Sequence, residues 1–162
     1  MRKWPFVTAV VVAVVVLDQL TKWWIRSAVP LHESIAVVPS LFNITHLRNP
    51  GGAFSLLARS ADEFRIPFFV VMSGIAVAAL IYFLREIETH QKVLLFAVAG
   101  VLGGAIGNLI DRVALGAVTD FLDVYWGSYH WPAFNVADSF ITIGVVVLLA
   151  QSLFAPPDSA DA

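Results

Sequence analysis

Four apolar stretches, each long enough to cross a lipid bilayer, set the terms for this 162-residue chain. They run from about Trp4 to Ile25, from about Ile66 to Leu84, over about residues 93–112, and from about Phe134 to Phe154. Crossing about 30 Å of hydrocarbon takes roughly 20 helical residues. Lipid offers the backbone no hydrogen-bond partner, so each run is expected to satisfy its own N–H and C=O groups as a helix. Only 14% of the residues are charged and 59% are hydrophobic, against roughly 25% charged in soluble domains. The expected fold class is an all-α membrane protein of four transmembrane helices, in a single domain over residues 1–155. The polar, Pro-bearing segment 156–162 is expected to be a disordered tail. Arg2-Lys3 before an apolar run would also suit a secretory signal peptide, but the run continues into Trp23-Trp24-Ile25 without a clean small-residue cleavage site.

Consecutive spans alternate in direction, and this parity gathers the polar residues. Asp18 and Lys22 lie near the end of the first span, Asn108, Asp111 and Arg112 at the end of the third, and Asn135 and Asp138 at the start of the fourth. All of these emerge on one side, together with the connections 26–65 and 113–133. Ionisable groups inside spans mark functional sites by default. On the same side, Ile35–Val38 and Phe42–Leu47 read as short strands of an extramembrane hairpin around Pro39-Ser40, and residues 118–125 as a further extended piece. Trp23, Trp24, Tyr125, Trp126, Tyr129 and Trp131 make that face rich in aromatics, as interfacial belts are. Orientation is ambiguous from charge. Arg2, Lys3, Arg85 and Lys92 lie opposite the crowded side; Lys22, Arg26, Arg48, Arg59, Arg65 and Arg112 lie on it. That count favours a cytoplasmic site, whereas Arg2-Lys3 on a very short N-terminal tail favours a cytoplasmic N-terminus.

Several chemistries lose their footing on residue type. With no cysteine, thiolate nucleophiles, disulfides and Cys-zinc sites are excluded. A net charge of −2 gives no basic footprint for nucleic acid. His32, His46, His90 and His130 form no His-Glu-x-x-His pattern, and no Gly-x-Ser-x-Gly elbow occurs; neither a metal nor another cofactor is expected. Lys22 with Ser55 or Ser128 remains open as a Ser-Lys pair by residue type, and Ser128 with His130 is a weaker pair. Two acids, Asp120 and Asp138, stand among apolar neighbours. If adjacent, two carboxylates sharing one proton can cut a peptide bond, one as base towards water and the other as acid towards the carbonyl. On spacing alone Asp123 is as good a partner as Asp120. Asn135 and Asp138 also fit a helix start, with Asn at the N-cap and an acid in the first turn. Asp18 and Lys22, four apart, suit a bridge along one helix face, and Asp111-Arg112 suits an ion-paired helix terminus. Gly100 with Gly104, and Gly103 with Gly107, form small-residue pairs that let another helix, or a substrate helix, approach closely.

Five blocks in order along nearly the whole chain resemble those of the lipoprotein signal peptidases, a family of intramembrane aspartic proteases. They are Asp18-Gln19-Leu20-Thr21-Lys22, Asn49-Pro50-Gly51-Gly52-Ala53-Phe54, Gly103 to Arg112, Val118-Thr119-Asp120-Phe121 and Asn135-Val136-Ala137-Asp138. Gly52 departs from the alanine usual in the second block. The resemblance implies that Asp120 and Asp138 form the catalytic dyad, and Asp123 does not. It implies that Asn49, Gly51, Asn108, Arg112 and Asn135 bind substrate or shape the site, with Asp18, Lys22, Gly104, Gly107 and Asp111 in support. The implied substrate is a bacterial prolipoprotein whose cysteine carries diacylglycerol, cut just before that cysteine. The implied setting is a monomer in the cytoplasmic membrane, both termini inside and the site near the outer leaflet, in contact with membrane lipid. A small transporter or channel subunit is the alternative, but helix two and the far halves of the spans carry almost none of the polar groups a path would need.

Overall fold

A computed structural model of the chain describes residues 2–51 and 61–154. Gly52, Ala53, Phe54 and Ser55, and the segment 156–162, lie outside the described residues. The element order is α1 (Lys3–Ala28), β1 (Ser34–Val38), β2 (Phe42–Asn49), α2 (Asp62–Glu86), α3 (Lys92–Leu115), β3 (Val118–Trp126), β4 (Tyr129–His130) and α4 (Val136–Phe154). All four helices have the length and hydropathy to span a membrane.

The helix ends explain where the expected spans fall short. α1 continues past Ile25 because Ile25 is buried and Arg26 finds partners on α3 and β3. It stops where Val29, extended at φ −120° and ψ 119°, precedes Pro30, whose ring disfavours the helical conformation in the residue before it. α2 starts earlier than its apolar run. Asp62 and Glu63 occupy its first turn, where the positive end of the helix dipole favours acids, and Asp62 pairs with Arg65. α3 runs on to Leu115 and is closed by Gly116 at φ 70°, whose N–H bonds the Arg112 carbonyl at 3.0 Å. A left-handed C-terminal cap of this kind favours glycine.

α3 is the central helix. It packs against α1, α2 and α4, and α1 also touches α4. The glycines of α3 set these distances. A side chain on Gly104 would meet the Ala137 carbonyl and Ile141 of α4, and one on Gly107 would meet the Asp18 carboxylate of α1. Both approaches are used within the molecule: of the two readings of these glycines, another helix or a substrate helix, it is α4 that packs at Gly104 and α1 at Gly107. Leu84, Leu95, Val98, Ala99 and Leu102 form the interior near the other ends of the helices, where the Lys3 ammonium also donates to the Arg85 carbonyl at 2.9 Å. Apolar residues such as Val12, Leu20, Val71, Ile75 and Val146 point outward, as lipid-facing side chains do.

The strands form an antiparallel meander in the order β1-β2-β3-β4. The hairpin of β1 and β2 matches the expected segments, and β3 extends that sheet. The β2–β3 register slips between Ile44, opposite Leu122, and Leu47, opposite Asp120. Thr45 and His46 thus oppose the single residue Phe121, a bulge of the kind that re-aims a side chain. Both bulged residues are buried, and His46 Nδ1 lies 2.8 Å from the Val29 carbonyl oxygen. The sheet is thereby tied to the end of α1.

Candidate active site

A cavity of about 520 Å³ opens where the ends of α3 and α4 meet the sheet. Asp120 and Asp138 both line it, with Asn49, Asn108 and Arg112 beside them. Asp120 arrives on β3, one residue after the chain leaves the buried Thr119. Asp138 arrives in the first turn of α4. The capping pattern read from sequence is present, and it belongs to the site. The Asp138 backbone N–H donates to Asn135 Oδ1 at 2.9 Å, and the Asn135 backbone N–H donates to Asp138 Oδ2 at 3.3 Å. Such reciprocal bonding fixes a helix start. The Asn135 side chain then turns to the other acid: its Nδ2 donates to Asp120 Oδ1 at 2.8 Å. One asparagine therefore holds both carboxyl groups.

Asn108 completes the cradle. Its Nδ2 donates to Asp138 Oδ1 at 2.8 Å, and its Oδ1 accepts from Asn135 Nδ2 at 3.2 Å. Asn49, at the end of β2, hydrogen-bonds Asp120 through its side chain, and its Oδ1 accepts from the Gly51 N–H at 3.1 Å. Burial, and next the nearby charge of Asp138, push the Asp120 carboxyl up to about 7, against the opposing pull of Asn135, Asn49 and Lys22. Desolvation beside a second acid is the arrangement that keeps a carboxylic acid protonated near neutrality.

Around the acids, Arg112 lies over the Phe69 ring at 5.4 Å and donates to the Asn108 carbonyl at 3.4 Å. The expected Asp111–Arg112 helix-end pair is corrected here. Asp111 turns inward to Lys22 at 3.3 Å and to Arg26 at 3.7 Å, because a buried carboxylate needs cations close by. The Asp18–Lys22 bridge is present at 2.9 Å.

Asp123 is three residues from Asp120 along a strand, which puts it on the other face. It accepts from Asn43 Nδ2 at 3.0 Å and pairs with His130 Nδ1 at 2.8 Å, away from the cavity lining. His130 is thereby occupied by Asp123 instead of Ser128. The Lys22 ammonium is fully buried and makes its bonds to Asp18, Asp111 and Asn108, which leaves it no role as base to Ser128; Ser55 lies outside the described residues. Among the described residues, no group of three or more His, Cys, Asp or Glu side chains is arranged to hold a metal ion.

Three contributors escaped the sequence reading. Gln19 bonds Asp18, the Gly107 carbonyl and Asp111 at 3.1, 3.1 and 3.3 Å. Phe69 supports Arg112 from a helix that carries no polar clue. Trp131, read only as an interfacial aromatic, lines the cavity. Only Gln19 had a signal, its place between Asp18 and Lys22.

A family model described as Signal peptidase (SPase) II matches residues 10–154. The chain belongs to the signal peptidase II family. Signal peptidase II is an aspartic peptidase family, so membership makes this chain a membrane protease and excludes the transporter alternative. The chain is 53% identical to the lipoprotein signal peptidase of Syntrophotalea carbinolica over 139 residues, 85% of each protein. It is 51% identical to that of Geobacter sulfurreducens over 145 residues, covering 90% of this chain and 89% of the relative. A bacterial membrane enzyme solved by the in meso method at 2.3 Å shares the fold, with a TM-score of 0.81 and 32% identity over 97% of this chain and 95% of that one.

Proposed function

We propose that this signal peptidase cleaves diacylglyceryl-modified bacterial prolipoproteins just before the lipidated cysteine, using Asp120 and Asp138 as the catalytic dyad. The observation that carries the reading is the double grip of Asn135 on the two acids that line one cavity. Asp120, with its carboxyl raised to about 7, holds the shared proton. Asp138, in the first turn of α4, carries the charge where the helix dipole favours it. Asp138 takes a proton from water as its oxygen attacks the scissile carbonyl, while Asp120 gives its proton to the carbonyl oxygen. The tetrahedral intermediate collapses with proton transfer to the cysteine nitrogen. One water is consumed, the signal peptide leaves as a carboxylic acid, and the lipoprotein keeps its new amine. Asn49, Asn108 and Arg112 face the same cavity and orient the peptide.

The substrate reading rests on the relatives, which are lipoprotein signal peptidases, and on the position of the cavity at the helix ends, lined by half-exposed Trp131. Two acyl chains would anchor the substrate at that depth, since each buried CH₂ contributes about 0.8 kcal/mol, and fixed depth raises rate through orientation. In this proposal the termini are cytoplasmic and the cavity lies near the outer leaflet. The test is cleavage by purified protein of one prolipoprotein in lipidated and unlipidated form. The lipidated form should be cut and the unlipidated form cut poorly or not at all. Equal rates at subsaturating substrate would contradict lipid-anchored positioning.

A further inference from the structure

Behind the cavity, between α1 and α3, lies a fully buried ammonium that does not itself line the cavity. Lys22 has three N–H donors, and each has an acceptor: Asp18 Oδ2 at 2.9 Å, Asp111 Oδ2 at 3.3 Å and Asn108 Oδ1 at 2.9 Å. We propose that Lys22 is a positioning residue that fixes the polarity of the two amides facing the dyad. This inference rests on the dyad reading above.

The Asn108 amide has two orientations. With Oδ1 towards the ammonium, Nδ2 points at Asp138 Oδ1. Reversed, it would set two donors against each other at Lys22 and two acceptors against each other at Asp138. The choice propagates, because Asn108 Oδ1 also receives Asn135 Nδ2, the group that donates to Asp120. One cation thus directs an N–H at each acid. Its two carboxylate partners hold the backbone on which the acids ride. Asp18 Oδ1 accepts the Ala137 N–H at 2.9 Å, one residue before Asp138. Asp111 Oδ2 accepts the Thr119 N–H at 2.9 Å, one residue before Asp120.

Replacing Lys22 alone would leave two buried carboxylates short of a cation, a change expected to unfold the protein. The test therefore uses the charge-balanced pair Asp18→Asn/Lys22→Met, in which Asp111 keeps Arg26 and the new amide oxygen can still accept the Ala137 N–H. The expected result is a folded protein whose kcat falls about 10- to 100-fold, the scale of a misplaced catalytic group. KM should stay within about threefold, since neither changed residue lines the cavity. The upper limb of the pH–rate profile should move to higher pH, because a cation that favours ionised Asp120 is gone. Should this pair not accumulate, Asp18→Asn/Lys22→Leu, also charge-balanced and leaving Asp111 with Arg26, is read in the same way. Wild-type kcat and pH profile in a folded pair would overturn the inference. That result, with Asp120→Asn and Asp138→Asn both inactive, would leave the dyad standing. Turnover by Asp120→Asn would remove the dyad and this inference with it.

Discussion

Asp120 is costly to keep ionised in its buried setting, and this has two consequences that can be measured. In the proposed mechanism the dyad holds one proton, so kcat/KM should decline as pH rises through about 7, where Asp120 loses it. A rate that stayed flat from pH 6 to pH 9 would exclude Asp120 as the group that holds the proton. The second consequence is on stability. With its carboxyl raised in the folded state, Asp120 binds a proton between about pH 4 and 7 that the unfolded chain does not. Its contribution is therefore favourable at acid pH and is lost as pH rises through about 7. Asp120→Asn should raise the melting temperature in detergent at pH 8.5 more than at pH 5.5. The roles of individual residues were only half legible beforehand. Asn135 and Asp138 could be read as a helix cap, and they are one. Their part in the cavity depends on Asp120 reaching the same place from 18 residues away, which spacing does not reveal. On spacing alone Asp123 was an equal candidate; the family resemblance set it aside, and the strand puts it on the other face.

Among the elements, the spans were readable because lipid imposes a simple length and polarity rule. Their ends were not, because polar contacts decide them: Arg26 prolongs α1, and Gly116 closes α3. The bulge at Thr45 and His46 has no local signature, yet it puts Asp120 opposite Leu47. The α3–α4 contact positions Asp138, and at Gly104 it comes up against the backbone of Ala137, the residue before Asp138. An added Cβ there would come within 2.5 Å of the Ala137 carbonyl oxygen, so the two helices would have to part. Gly104→Ala should lower the melting temperature and reduce kcat at least tenfold, since displacements of about 1 Å can cost a hundredfold. The same substitution at Gly127, in the turn before Tyr129, meets nothing within 4 Å and should leave kcat near wild type, although φ 61° there adds some strain.

The molecule as a whole is polarised. The buried ion network, cavity and sheet sit at one end of the helices, while the other end is closed by apolar packing and Lys3. This polarity was visible from chain parity, but the face it lies on was not, because several of the cations that would report it belong to the site or its supports. The proposed orientation is open to direct test. The chain contains no cysteine, so Ser128→Cys, in the turn between β3 and β4, provides a single label site. A membrane-impermeant maleimide should label it from outside in intact spheroplasts. Labelling only after permeabilisation would reverse the topology.

The claim on which all of this rests is that Asp120 and Asp138 act together as the dyad. Asp120→Asn, Asp138→Asn and Asp123→Asn should each be purified in folded form and assayed for cleavage of a lipidated prolipoprotein. Each of the first two should lose more than about a hundredfold in kcat, as removal of a catalytic acid or base does, while Asp123→Asn keeps substantial activity. Full turnover by Asp120→Asn or Asp138→Asn would contradict the account.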